Sequence, residues 1–165
     1  MAETFDETLL PAAKAARYAA LAEEVAAVLE GERNFTARLA TVAAMLAQAF
    51  EHYFWAGFYL VDPAKPDELV VGPYQGTLGC LRIAFGRGVC GAAAAERRTL
   101  IVPDVEAFPG HIACDSRSRS EIVVPVFGPG GALIGVFDVD STELAAFDGD
   151  DAAGIERVLR ETFGR

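Results

Sequence analysis

Apolar positions along the chain fall into two distinct periods. From residue 12 to 30, Tyr18, Leu21, Val25, Val28 and Leu29 recur at the three- and four-residue spacing of one helix face, in a stretch rich in Ala, Leu and Glu. Gly31 breaks that pattern. Asn34 then offers a side-chain oxygen to cap a second helix, with Phe35, Leu39, Val42 and Leu46 on one face. At Tyr53 the period shortens. Residues 53–61 read Tyr-Phe-Trp-Ala-Gly-Phe-Tyr-Leu-Val, aromatic and β-branched as a strand requires. Asp62-Pro63 marks a turn, and Glu68 to Tyr74 pairs back as a second strand.

Cys80 to Phe85 alternates like a third strand, Gly88 to Arg97 is an Ala-rich short helix, and Thr99 to Val102 is a short strand. Pro103 to Arg119 shows no period. It is longer than an idle connection in a compact domain, and such loops tend to carry function. Ser120 to Phe127 and Ala132 to Val139 form two strands joined by Gly128-Pro129-Gly130-Gly131, a hairpin signal. Asp148 caps a last helix bearing Ile155, Val158, Leu159 and Phe163. Successive hairpins predict an antiparallel sheet, with helices packed on its faces. The expected class is α/β of the α+β kind. One domain covers 1–165: helices over 10–50, a sheet core with the working loops over 51–141, and a helix over 147–164.

Composition agrees with a packed domain. The chain has 165 residues, 52% hydrophobic and 23% charged. Its net charge of −10, with no Lys/Arg block beyond the short Arg97-Arg98 and Arg117-Ser118-Arg119, argues against nucleic acid or an anionic membrane as partner. No apolar run approaches the ~20 residues of a membrane span, and Met1 to Glu7 lacks the basic and apolar regions of a secretory signal. The expected compartment is the cytoplasm, where a permanent disulfide is the wrong default for three cysteines.

Those cysteines are the first candidates for chemistry. Cys114 lies in Pro109-Gly110-His111-Ile112-Ala113-Cys114-Asp115, within the long loop. It reads either as an inert buried thiol or as a reactive one helped by His111, with Asp115 opposing the thiolate. Cys90 opens the Ala-rich helix. The helix N-terminus lowers a thiol pKa there and burial raises it, and the sequence leaves the winner open. Cys80 follows Gly76-Thr77-Leu78-Gly79, a stretch mobile enough to carry a resolving thiol, though an inert edge-strand cysteine fits equally. The spacing matches no metal motif and only two histidines are present, so no metal site is expected.

The carboxylates form a second group. The 128–131 turn folds the strand end near residue 139 back beside the strand start near residue 121. Glu121, Asp138 and Asp140 then converge at one sheet end, the two aspartates on one face by the period of two. A solvated acidic edge is one reading. The apolar neighbours Ile122, Val123, Val124, Val136 and Val139 favour partial burial, where one or more of the repelling carboxyls can stay protonated near neutrality. Such a group can donate a proton to a leaving oxygen or hold an ammonium. Trp55 and Tyr59 share a face of the first strand, as core aromatics or as a wall for a methyl or sulfonium-like group.

At these residues the chain resembles the free methionine-R-sulfoxide reductases, enzymes of GAF fold. The resembling segments are WAGFYL (55–60), GPYQG (72–76), GRGVCG (86–91), VPDV (102–105), FPGHIACD (108–115), SEIVVP (120–125) and DVDS (138–141). FPGHIACD with SEIVVP is the most specific pair, one not expected of ordinary GAF sensor domains. The resemblance implies a central antiparallel sheet flanked by helices and thiol-dependent reduction of free, not peptide-bound, methionine-R-sulfoxide. It implies Cys114 as nucleophile, Cys80 as resolving thiol and Cys90 as an alternative thiol. It also implies Glu121, Asp138 and Asp140 as substrate-binding acids, with Trp55 and Tyr59 as the aromatic wall. Chemistry of this kind passes through a sulfenic acid and an intramolecular disulfide. It needs no bound cofactor, only an external dithiol of the thioredoxin kind, and the resemblance allows a homodimer. The alternative is a GAF module that senses a small ligand or redox state without turnover.

Overall fold

The Asn34 side chain accepts the Ala37 N–H at 2.9 Å and starts α2 (Phe35–Ala49), as the sequence predicts. Before it runs α1 (Pro11–Val28), and the chain ends in α4 (Gly149–Phe163), opened by a capping box between Asp148 and Asp151. Between them lie β1 (Trp55–Asp62), β2 (Lys65–Gln75), β3 (Arg82–Ala84), α3 (Gly88–Glu96), β4 (Leu100–Val102), β5 (Ser120–Phe127) and β6 (Leu133–Ser141). This computed structural model describes residues 11–165; residue 10 and the stretch Met1 to Glu7 read above lie outside them. None of the described helices is long and apolar enough to cross a membrane.

The strands form one antiparallel sheet of order β3-β2-β1-β6-β5-β4. Strands far apart in sequence, β1 and β6, thus pair at its centre. Apolar side chains cover both faces of the sheet, which is why the strands read as nearly continuous apolar runs rather than clean alternation. Phe58, Ile122, Val124, Phe137 and Val139 pack toward α1, α2 and α4. Trp55, Tyr59, Val123 and Val136 pack on the opposite face, with Val89, Cys90, Ala93 and Ala94 of α3.

α1 and α4 lie side by side. Lys14 Nζ bridges Asp148 and Asp151 at 2.8 Å each, and the Tyr18 hydroxyl donates to Asp151 Oδ1 at 2.8 Å. The buried Asp151 carboxylate is therefore paired rather than stranded.

Three expectations change. Val28 is 61% exposed; it is the last residue of α1, and Leu29 in the following turn packs on the core instead. Phe35, first in α2, is 43% exposed and meets the Phe163 ring edge-on. The third strand begins only at Arg82, so Cys80 lies in a loop, because the chain after β2 folds over Trp55 before rejoining the sheet.

Candidate active site

Strand register assembles the acids. Glu121 pairs with Asp140 and Val123 with Asp138 across β5–β6, while Trp55 pairs with Asp140 and Gly57 with Asp138 across β1–β6. Asp138 and Asp140 point to one face by the period of two, flanked by Glu121 and by Trp55. Arg119 N–H donates to the Ser141 carbonyl at 2.8 Å, which carries the β5–β6 pairing beyond the acids.

Glu121 and Asp138 are each only 5% exposed. Burial, reinforced for Glu121 by Asp140, for Asp138 by Glu121 and for Asp140 by Asp138, pushes all three carboxyls well above the ordinary range. The set therefore takes up protons more readily than carboxyls in water do. Cys90, in the first turn of α3, donates its thiol to Glu121 Oε1 at 3.9 Å. Burial raises its pKa, helped by Asp138 and Glu121, so burial prevails over the helix N-terminus for this thiol. His111 Nε2 stands 3.6 Å from Glu121 Oε2, and burial lowers the imidazole pKa. The neutral ring makes this a polar contact rather than a full ion pair.

Trp55 and Tyr59 stack at 5.6 Å between ring centroids, and Tyr74 stacks on Trp55 at 5.0 Å. Trp55 Nε1–H donates to the Thr77 carbonyl at 2.8 Å, drawing the 76–81 loop down onto these rings. Gly79 passes so close that a Cβ would lie 3.0 Å from both the indole and the Tyr59 hydroxyl, so glycine suits the position on space alone.

The same loop carries Cys80, which is joined by a disulfide to Cys114 with their Cα atoms 5.6 Å apart. A second tie runs alongside: Thr77 Oγ1 donates to Asp115 Oδ2 at 2.8 Å, and Arg117 Nη2 donates to the same oxygen at 2.8 Å. Arg117, with the Thr77 hydroxyl, holds the Asp115 carboxyl well below its usual range. The Arg117 guanidinium also lies over the Phe54 ring at 4.8 Å. Cys114 is exposed and Cys80 half-buried.

One cavity takes in most of these groups. Cys90, Cys114, Glu121, Asp138, Asp140, Trp55 and Tyr59 all line it, and Cys80 reaches its rim through the disulfide. The eight residues singled out in the sequence thus share one place. Sequence reasoning missed Thr77 and Ser118, both on the cavity wall, and read Asp115 only as an opponent of the thiolate. Asp115 instead anchors its loop. No periodicity marks a residue whose partner lies on a different loop.

A central antiparallel sheet with a disulfide beside an acid-lined cavity defines a thiol-redox protein on a ligand-binding α+β scaffold. The GAF domain family matches residues 32–161, and the chain belongs to that family, in the branch that holds the free methionine-R-sulfoxide reductases. It is 42% identical over 144 residues to the free methionine-R-sulfoxide reductase of Escherichia coli, covering 87% of this chain and 85% of that protein. It is 50% identical over 147 residues to GAF domain-containing protein A of Dictyostelium discoideum, covering 89% and 90%. Among solved structures, the free methionine-R-sulfoxide reductase of Neisseria meningitidis in complex with its substrate superimposes with a TM-score of 0.85 at 50% identity, covering 90% of this chain and 87% of that one.

Proposed function

We propose that this protein reduces the R-epimer of free methionine sulfoxide to methionine. The observation that carries this reading is the Cys80–Cys114 disulfide at the rim of a cavity whose inner wall is Glu121, Asp138 and Asp140. Its identity to reductases so named supports the same substrate.

In the reduced protein the Cys114 thiolate attacks the sulfoxide sulfur. A protonated carboxyl of the acid set gives its proton to the sulfoxide oxygen. The new bond between the two sulfurs and the sulfoxide S–O bond then break as the hydroxyl passes to Cys114, which becomes a sulfenic acid, and methionine leaves as the thioether. The Cys80 thiol then displaces water from the sulfenic acid and forms the disulfide. An external dithiol of the thioredoxin kind, the sort found in a reducing cytoplasm, restores both thiols, and the exposure of Cys114 gives it access. Cys90 keeps its thiol in this scheme, hydrogen-bonded to Glu121. No bound cofactor takes part. We include the homodimer that the family allows in this reading; sedimentation velocity measures it.

The acids also explain a preference for the free amino acid. Buried carboxyls gain by pairing with an α-ammonium, which a residue inside a peptide lacks, so a peptide leaves them unpaired. Trp55 and Tyr59 wall the S-methyl end. In the disulfide form the cavity holds about 40 Å³, room for a few waters.

The test is thioredoxin-coupled turnover on the R- and S-epimers of free methionine sulfoxide, with a peptide-bound R-sulfoxide as control. Reduction of the free R-epimer alone supports the proposal. Equal rates on the peptide, or none on the free R-epimer, refute it. Peroxide oxidation of the thiols without sulfoxide turnover would favour the sensor alternative.

A further inference from the structure

Three elements each send one potential metal ligand to the same buried spot. Cys90 Sγ comes from α3, a Glu121 carboxylate oxygen from β5 and an Asp138 carboxylate oxygen from β6, all within 4.8 Å of one another. A zinc ion bound by a thiolate at ~2.3 Å and a carboxylate at ~2.1 Å sets those two atoms ~3.6 Å apart in a tetrahedron. Cys90 Sγ and Glu121 Oε1 stand 3.9 Å apart, a few tenths of an ångström from that spacing, and the Asp138 oxygen lies within 4.8 Å of both.

A second observation points the same way. Asp138 Oδ1 is buried and has no hydrogen-bond partner among the described residues, although buried polar atoms are nearly always paired. The group lines the cavity, which gives a ligand its approach. The proposed reaction also leaves Cys90 unused as a redox thiol.

We infer that Cys90, Glu121 and Asp138 form a binding site for a thiophilic divalent cation of the zinc class, with water in the fourth position. One thiolate among oxygen donors favours zinc or cobalt over magnesium or calcium. Binding displaces the protons held on Sγ and the carboxyls into solvent. Linear spacing gave no hint of this set, because its donors come from separate elements. If the reductase reading holds, the cation competes with substrate, since both use Glu121 and Asp138; that clause alone rests on the proposed function.

The test uses the full-length protein in its disulfide form, where Cys90 is the only free thiol. Titration with Co²⁺ is expected to give a near-ultraviolet thiolate-to-metal charge-transfer band and visible d–d bands at one equivalent, reversed by Zn²⁺. Cys90→Ser is expected to lose the charge-transfer band. Asp138→Asn is expected to weaken Co²⁺ binding by roughly ten- to a hundredfold, with circular dichroism confirming that both variants fold. Absence of the band in the unaltered protein overturns the site, as does an Asp138→Asn protein that binds Co²⁺ unchanged. Sulfoxide turnover plays no part in this readout. A chain without reductase activity can still show the band, and an active reductase without it refutes the metal site alone.

Discussion

Glu121 and Asp140 are direct register partners across the β5–β6 ladder, two acids facing each other where strand pairs ordinarily avoid like charge. Burial and the neighbouring acid both raise these carboxyl pKa values, which favours the neutral form and so eases the repulsion across the pair.

Linkage then fixes a sign. Carboxyls whose pKa is raised by folding bind more protons in the native than in the unfolded state. Their contribution to stability is fully present below the ordinary carboxyl range and is lost as pH rises through the raised native values. The melting temperature of the unaltered protein is expected to fall as pH climbs from 5 toward 9. Glu121→Gln should flatten that slope and be the more stable protein at the alkaline end, while turnover drops by roughly 10² or more. Thermal denaturation across pH, beside steady-state rates, checks both halves; a variant as pH-sensitive as its parent would count against the buried-acid account.

The two disulfide cysteines should fail differently. Cys114→Ser is expected to abolish turnover and any sulfoxide-driven disulfide. Cys80→Ser should still release about one methionine per chain in a single turnover, then stall with Cys114 as a sulfenic acid that a dimedone-type reagent traps. Quenched-flow product measurement and mass spectrometry separate the cases. A full burst from Cys114→Ser would move the nucleophile elsewhere.

Thr77 and Asp115 tie the two cysteine loops together beside the disulfide. Thr77→Val removes that tie while keeping shape. Disulfide closure after sulfenic acid formation is expected to slow several-fold, because the two sulfurs meet less often, with the single-turnover methionine burst little changed. Intrinsic Trp55 fluorescence, followed after one equivalent of substrate, is a suitable probe of closure.

Packing of α1 on α4 depends on a missing side chain. A Cβ at Gly154 would overlap the Tyr18 ring. Gly154→Ala should therefore destabilise the fold by about 1–3 kcal/mol despite its better helix propensity, as overpacking does. Urea denaturation would show it as a lower midpoint at unchanged slope.

Local pattern made much of this legible. The Asn34 and Asp148 caps, the Gly128 to Gly131 turn and the shift from helical to strand period placed nearly every element within a few residues. It failed at Val28, which matches the apolar spacing but stands where α1 ends, and at Cys80, whose alternating neighbours look like a strand although the loop is drawn off the sheet by Trp55.

The sequence by itself determined which side chains share a face, because the periods of helix and strand are properties of the local backbone. It therefore placed Asp138 with Asp140, Trp55 with Tyr59, and Glu121 near the aspartates through one short turn. Tertiary structure alone decided how those faces meet: Cys90 under the acids instead of at a solvated helix end, Thr77 against Asp115, and the sulfurs of residues 80 and 114 in bonding reach. Those outcomes depend on distances between elements far apart along the chain, and on the water that packing removes from between them.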